Sequence, residues 1–252
     1  MKFGVLRLLQ HGKEIEHIEL GFLQQIPFGV FKNFKKLKSL KLKNVKFDDF
    51  KPEDVAWLGL DCTNLEVLMI DDHERPEGPW RSGMMEQAFD WFFKERQSTL
   101  KGFACSSLSF SKDMFSNLRL CKNLEEFEFN NNLICLDDLD MIYTLPNLKK
   151  LVFERVYFQD PICTILEKLN KRNLECLVIS NCRGFDSSFF KNLPNLYFPK
   201  LERLFIDFPK GIVEQTSRLN KLRWKLIKKN PKIKSIKSIE LKEREEDLDF
   251  SK

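Results

Sequence analysis

The sequence predicts an α/β solenoid, a curved arc with parallel strands on its concave face and helices or turns on its convex face. The first observation is the pattern L-x-x-L-x-L, in which other large apolar residues can replace Leu. Its copies begin at Ile15, Leu37, Leu65, Leu100, Leu124, Leu148, Leu174 and Leu201, and a blurred ninth begins at Ile233 or Ile236. The second observation is their spacing, because most copies lie 22 to 28 residues apart, the length of one strand and its return. Two longer intervals, of 35 and 32 residues, must contain insertions.

Each copy predicts a short strand, because apolar residues alternate with other residues and one face is therefore buried. Phe, which occurs 24 times, often stands where Leu would otherwise fill the core. We assign four of these to the core: Phe103, Phe127, Phe129 and Phe153.

Three connecting segments predict helices. Pro52 followed by two acidic residues is typical of a helix N-terminus. A second helix begins at Ser82 or Gly83, and a third begins after Asp160-Pro161. Their apolar stripes are Met85, Phe89 and Phe92 in the second, and Ile162, Ile165, Leu166 and Leu169 in the third. Helices need more room than strands, so the stack must curve.

The expected domain organisation is a single solenoid over residues 1–242, with eight to nine irregular repeats. Residues 210–232 should form a basic C-terminal helix, and residues 243–252 an acidic tail that we predict to be disordered. No apolar run reaches 18 residues, so we expect no transmembrane segment.

Seven cysteines are present, an odd number, and none forms the paired clusters that cap secreted repeat proteins. Free, buried cysteines suit a reducing compartment. We therefore expect the protein in the cytoplasm or the nucleus.

The positions of three cysteines carry a resemblance to a known family. Cys62-Thr-Asn-Leu65 and Cys121-Lys-Asn-Leu124 place Cys three residues before the repeat, and Cys182 lies three residues after the strand that ends at Ile179. Over about residues 15–241 the chain resembles the cysteine-containing leucine-rich repeats of F-box substrate receptors, although other residues occupy the second cysteine position in most repeats.

The resemblance implies a leucine-rich repeat solenoid that recognises a protein, with ubiquitin-ligase components as possible partners. An F-box would precede the repeats in such a receptor, and residues 1–14 are too short to contain one. Either it lies further upstream or this copy has lost it.

Strand alternation identifies the side chains that face out of the concave wall. The predicted partner-binding residues are Met69, Asp71, Glu128, Val152, Glu154, Val178, Phe205 and Asp207. Val152, Val178 and Phe205 should form an exposed apolar patch, and the four acidic residues an edge beside it. Such a patch with charged rims is typical of a protein-binding site. Strands also favour β-branched residues for other reasons, and the two interpretations stay equally open.

A basic segment between Arg218 and Lys237 offers an alternative site. Its predicted members, Arg223, Lys225, Lys228 and Lys229, could bind nucleic acid or an anionic lipid surface. We favour a closing helix that packs Leu219, Leu222 and Leu226 on the last repeat, because terminal repeats need a polar outer cap. Nucleic acid is thus the less favoured partner.

The sequence predicts no enzyme, no catalytic residue, no metal and no cofactor. It contains neither a nucleophile elbow nor a Gly-rich phosphate loop. Residues 71–74, Asp-Asp-His-Glu, lack a second histidine at ligand spacing, so we interpret them as a solvated loop. The turn from Pro76 to Trp80 is either a contact loop or packing for the next helix.

Overall fold

A computed structural model of the chain describes residues 14–21, 29, 31, 34–43, 51–71, 83–106, 116–130, 132–140, 142–169, 173–185, 189, 192–207 and 225–237. The strands in chain order are β1 (His17–Gly21), β2 (Ser39–Lys43), β3 (Val67–Asp71), β4 (Gly102–Ser106), β5 (Glu126–Asn130), β6 (Leu133–Ile134), β7 (Lys150–Glu154), β8 (Tyr157–Phe158), β9 (Cys176–Ser180), β10 (Arg203–Ile206) and β11 (Ser235–Lys237). The helices are α1 (Pro52–Asp61), α2 (Gly83–Arg96) and α3 (Ile162–Leu169), with 3₁₀ turns at Asp137–Leu139, Ile142–Thr144 and Leu193–Asn195.

One nine-stranded parallel sheet runs through the described repeats in the order β1-β2-β3-β4-β5-β7-β9-β10-β11. Each strand coincides with one copy of the sequence pattern, so the predicted repeat is confirmed. Ile236 pairs with Leu204, which places the first position of the ninth copy at Ile233 rather than Ile236. Consecutive repeats are therefore neighbours in space, as a solenoid requires.

The three predicted helices are also confirmed. Pro52 opens α1, and the backbone N–H of Lys51 donates to the Asp54 carboxylate at 3.0 Å. All five apolar positions of α3 are buried against the core, and α1 packs on α2. Gly59 allows that close approach, because a Cβ there would lie 3.0 Å from the Trp91 ring.

The core between the sheet and its returning segments contains a continuous aromatic stack. Phe103, Phe127, Phe129 and Phe153 are each fully buried, as predicted. Ring centroids are 6.0 Å apart for Phe103–Phe127, 4.6 Å for Phe127–Phe129 and 5.4 Å for Phe129–Phe153. The contacts Phe103–Phe127 and Phe129–Phe153 join neighbouring strands, and the contact Phe127–Phe129 links them within β5. These rings therefore couple successive repeats.

Charged residues just before the strands link neighbouring repeats. The second motif position alternates in sign through Glu16, Lys38, Glu66, Lys101, Glu125 and Lys149. Nζ–Oε2 distances of 2.7 Å for Lys38–Glu16 and 2.9 Å for Lys101–Glu66 join successive strands. The energies of such exposed pairs are small.

A second parallel sheet pairs β6 with β8. These two short strands follow β5 and β7 in the chain. Tyr157 extends it through an isolated bridge to Arg183. Gly184 has φ +92°, and a Cβ there would lie 2.3 Å from the Phe158 carbonyl oxygen, so only glycine fits. The sequence patterns did not predict this small sheet.

Candidate functional site

The inner face of the main sheet is the face that points away from the apolar core. Its middle row crosses eight strands in register: Glu19, Lys41, Met69, Ala104, Glu128, Val152, Val178 and Phe205. The structure therefore brings the predicted partner-binding residues onto one surface. Their exposure differs from residue to residue.

The predicted apolar patch is smaller than expected. Val178 and Phe205 are partly exposed, but Val152 is only 6 % exposed. The expectation of an exposed Val152 was wrong. Parallel strands lie about 4.8 Å apart, so Glu128 and Val178, its neighbours in register, cover it from both sides. The accessible apolar surface reduces to Val178 and Phe205.

Met69 is also buried, at 7 % exposure, contrary to its prediction as a contact residue. The adjacent strand β4 presents small side chains to the inner face, Gly102, Ala104 and Ser106. Met69 Cε lies 3.6 Å from an ideal Cβ at Gly102, and Val67 Cγ1 lies 3.3 Å from it. These two larger side chains thus fill the space above β4.

Arg155 organises the acidic edge, and sequence reasoning missed it. Its Nη2 donates to Asn130 Oδ1 at 2.8 Å and lies 3.7 Å from Asp71 Oδ1 and 3.6 Å from Glu154 Oε1. The residue adopts φ +53°, a left-handed conformation that is uncommon for arginine. Arg155 therefore partly neutralises two of the four predicted acidic rim residues. The sequence signal that could have indicated this role is the position of Arg155, a cation directly after a predicted strand that ends in an acidic residue.

Asp207 is not an open rim carboxylate, and that prediction was wrong. It is 6 % exposed and accepts hydrogen bonds from the Asn181 backbone N–H and the Ser180 side chain. Burial raises its pKa, while these two hydrogen bonds oppose the change. Asn181 has φ +52°, so Asp207 stabilises a left-handed turn.

Glu128 has the most perturbed carboxyl group among the described residues of the inner face. Burial is the main cause that raises its pKa to about 7, and the negative charges of Glu154 and Asp71 add to it. Lys150 opposes the shift, but the ammonium of Lys150 is hydrogen-bonded to Glu126. Within the described part of the chain, no ion pair involves Glu128.

The alternative basic site is only partly described. Residues 225–229 form a short helical turn that exposes Lys225, Lys228 and Lys229, while Leu226 is 2 % exposed and packs inward. The Lys229 ammonium donates to the Asn195 carbonyl. Residues 210–224, with Arg223, Leu219 and Leu222, lie outside the described residues, as do the acidic tail 243–252, His73 and the Pro76–Trp80 turn.

A shallow hollow of about 520 Å³ lies among the returning segments, lined by Asp140, Tyr143, Thr164, Glu167 and Lys168. Lys168 Nζ is 3.2 Å from Asp140 Oδ1 and 5.3 Å from the centre of the Tyr143 ring. Among the residues described, no His, Cys, Asp and Glu side chains form a group of three that could hold a metal. No described helix is long and apolar enough to cross a membrane.

Comparison with known proteins identifies the fold. No protein-family model matches the sequence, and no curated protein matches it either. A solved structure of the yeast Rad7–Elc1 complex aligns over 80 % of this chain and 52 % of the other, with TM-score 0.55 and 19 % identity. In the present structure, nine parallel strands are connected by helices and turns, as this similarity leads one to expect. The chain has a leucine-rich repeat fold.

Two further solved leucine-rich repeat structures are similar at lower scores. Internalin C2 from Listeria monocytogenes aligns over 93 % of this chain and 84 % of its own, with TM-score 0.47 and 15 % identity. A complex of TLR13 with single-stranded RNA aligns over 76 % and 27 %, with TM-score 0.45 and 15 % identity. The chain spans about half the length of the Rad7 chain that it matches.

The cysteines of this leucine-rich repeat chain have structural positions. The thiol of Cys121 points at the Phe93 carbonyl, 3.7 Å away, and the thiol of Cys182 at the Phe153 carbonyl, 3.3 Å away. Burial raises the pKa of both thiols to about 12, so neither is a reactive thiolate near neutral pH. All seven cysteines are free thiols. A small, buried, weak donor fits these positions.

Proposed function

We propose that this chain is a non-enzymatic interaction module that binds a protein partner on its inner face. The observation that carries the proposal is the middle row of side chains, which includes the partly exposed pair Val178 and Phe205 beside charged neighbours. Apolar side chains that can be desolvated, with polar groups around them, are typical of the energetic centre of an interface.

The double variant Val178→Glu/Phe205→Glu tests this proposal. Two carboxylates in place of the apolar pair should weaken partner binding about 100-fold or more, because each would be desolvated in the complex. The measurement is a pull-down with quantitative mass spectrometry, followed by titration of the captured partner. Leu60→Glu/Met84→Glu is the matched control, since both residues are exposed on the convex helices α1 and α2.

Circular dichroism must first show that both double variants retain the fold. A partner lost with Val178→Glu/Phe205→Glu and kept with Leu60→Glu/Met84→Glu would support the inner face. Equal recovery of every partner by both variants would contradict the proposal.

A finer part of the proposal is substrate recognition for an F-box type ubiquitin-ligase receptor. The cysteine pattern resembles that of such receptors, and the Rad7 structure that supports the fold was solved with Elc1. Free, buried cysteines further favour a cytoplasmic or nuclear location. The pull-down therefore uses cytosolic and nuclear extracts, and the absence of ubiquitin-ligase subunits from the captured proteins would contradict this part.

The alternative function is binding of nucleic acid or anionic lipid through the exposed lysines at residues 225–229. The variant Lys225→Glu/Lys228→Glu/Lys229→Glu should then abolish binding to RNA, DNA or phosphatidylserine vesicles, and wild-type binding should weaken steeply with salt. Binding that neither salt nor this triple variant changes would rule the alternative out.

A further inference from the structure

Glu128 lies at the centre of the inner face, on the fifth strand of nine. Its register neighbours in the middle row are Ala104 and Val152, both buried and apolar. A carboxylate between apolar neighbours loses part of its hydration, and an ionised group in such a place is costly unless it is paired.

Nearby cations are already engaged with other carboxylates. The charged groups that act on Glu128 are Asp71 on β3, Glu126 on its own strand, and Lys150 and Glu154 on β7. Lys150 is hydrogen-bonded to Glu126, and Arg155 lies between Asp71 and Glu154. Among the carboxylates of the inner face that the structure describes, Glu128 is therefore the one that a partner's cation could pair with.

We propose that the partner inserts a lysine or arginine side chain against Glu128 and places an apolar side chain on Val178 and Phe205. The inference rests on the proposed function, because it specifies the chemistry of the partner that the inner face binds. A long cationic side chain suits the position, since its aliphatic stem tolerates apolar surroundings while its charged end pairs with the partly exposed carboxylate.

The sheet geometry sets the spacing between the two anchors. Val178 and Phe205 lie two and three strands from Glu128, which is roughly 10–14 Å at about 4.8 Å per strand. An extended peptide advances about 3.3 Å per residue. The basic and apolar side chains of an extended partner segment should therefore be about three to four residues apart.

Selection from a random, linear twelve-residue phage-displayed peptide library tests the inference with a defined probe. Four proteins are used as bait: the wild type, Glu128→Gln, Val178→Glu/Phe205→Glu and the matched control Glu53→Gln. Glu53 suits the control because it is exposed on α1, on the convex side. Peptides from the wild type and the control should pair Lys or Arg with an apolar residue at this spacing.

The outcomes separate the inference from the proposed function. With Glu128→Gln as bait, the enrichment of Lys and Arg should disappear while the apolar preference persists. If peptides selected on the wild type show the apolar preference without enrichment of Lys and Arg, the inference is overturned and the proposed function remains intact. If the selected peptides do not depend on Val178 and Phe205, that result would overturn both the inference and the proposed function.

A pH titration of one selected, histidine-free peptide gives a second readout. The raised pKa of Glu128 means that the carboxyl is mostly protonated at pH 6 and mostly ionised at pH 8. A cation prefers the ionised form, so affinity should rise about tenfold between these pH values. Glu128→Gln should abolish the rise, and Glu53→Gln should keep it. A wild-type affinity that stays flat from about pH 4 to pH 8 would overturn the inference even if Glu128→Gln failed to fold, because that range covers both the ordinary and the raised pKa of the Glu128 carboxyl.

Discussion

Replacing Phe103 by alanine is expected to lower the free energy of unfolding by about 3–5 kcal/mol, the range for a fully buried phenylalanine. Phe103 is 0 % exposed, and its ring centroid lies 4.8 Å from that of Phe93 and 5.7 Å from that of Phe89, both on α2. It also contacts the Phe127 ring of the next strand. Loss of the ring would leave a cavity where the sheet, the helix and the next repeat meet.

Urea unfolding followed by circular dichroism measures this effect. Phe103→Leu is the matched control, because it keeps an apolar side chain at the position and should cost much less. Repeats interact mainly with their neighbours, so the alanine variant should also broaden the unfolding transition as the two sides of the array separate. A loss below about 1 kcal/mol would contradict the role of the aromatic stack.

The strands and the core were predictable because their signal is local and repeated. Alternation within Leu65–Ile70 places Leu68 and Ile70 on the core side of the strand, and the same pattern returns in the following repeats. A continuous apolar core follows once the repeats stack. The substitution of Phe for Leu, as at Phe127, does not disturb this argument, because both side chains are apolar and large.

Exposure on the inner face could not be predicted from alternation alone. Alternation correctly placed Met69 and Val152 on that face, but their burial depends on the neighbouring strands. The small side chains of β4 leave space that Met69 fills. This contact joins Met69 and Gly102, which are 33 positions apart in the sequence. A sequence pattern within one repeat does not contain that relation.

The second sheet and the contacts of Arg155 also depend on features without a periodic signal. The strands β6 and β8 have two residues each, too few for alternation to distinguish them from a loop. Arg155 and Asn181 adopt positive φ without being glycine, and only their tertiary partners reveal why. For Arg155 these partners are Asn130, Asp71 and Glu154.

A buried asparagine near the C-terminal end of the described repeats should have a similarly large effect on stability. Asn230 is 1 % exposed, and its Oδ1 accepts the backbone N–H of Phe198 at 2.6 Å. Its Nδ2 donates to the carbonyls of Leu196 and Leu226, at 3.1 Å and 3.0 Å. One side chain thus joins the turn before β10 to the short helix before β11.

Asn230→Ala is expected to cost about 2–4 kcal/mol, because the Phe198 N–H and the Leu196 carbonyl would stay buried without this partner. Asn230→Asp should also destabilise the protein, since a carboxylate keeps the acceptor but would face two carbonyl oxygens. Asn195→Ala is the control, as Asn195 is exposed in the same turn. Denaturant unfolding measures all three, with amide hydrogen exchange at Phe198 as a local readout. Protection of that amide should fall in Asn230→Ala and stay unchanged in Asn195→Ala, and equal protection in both would contradict the role of the buried amide.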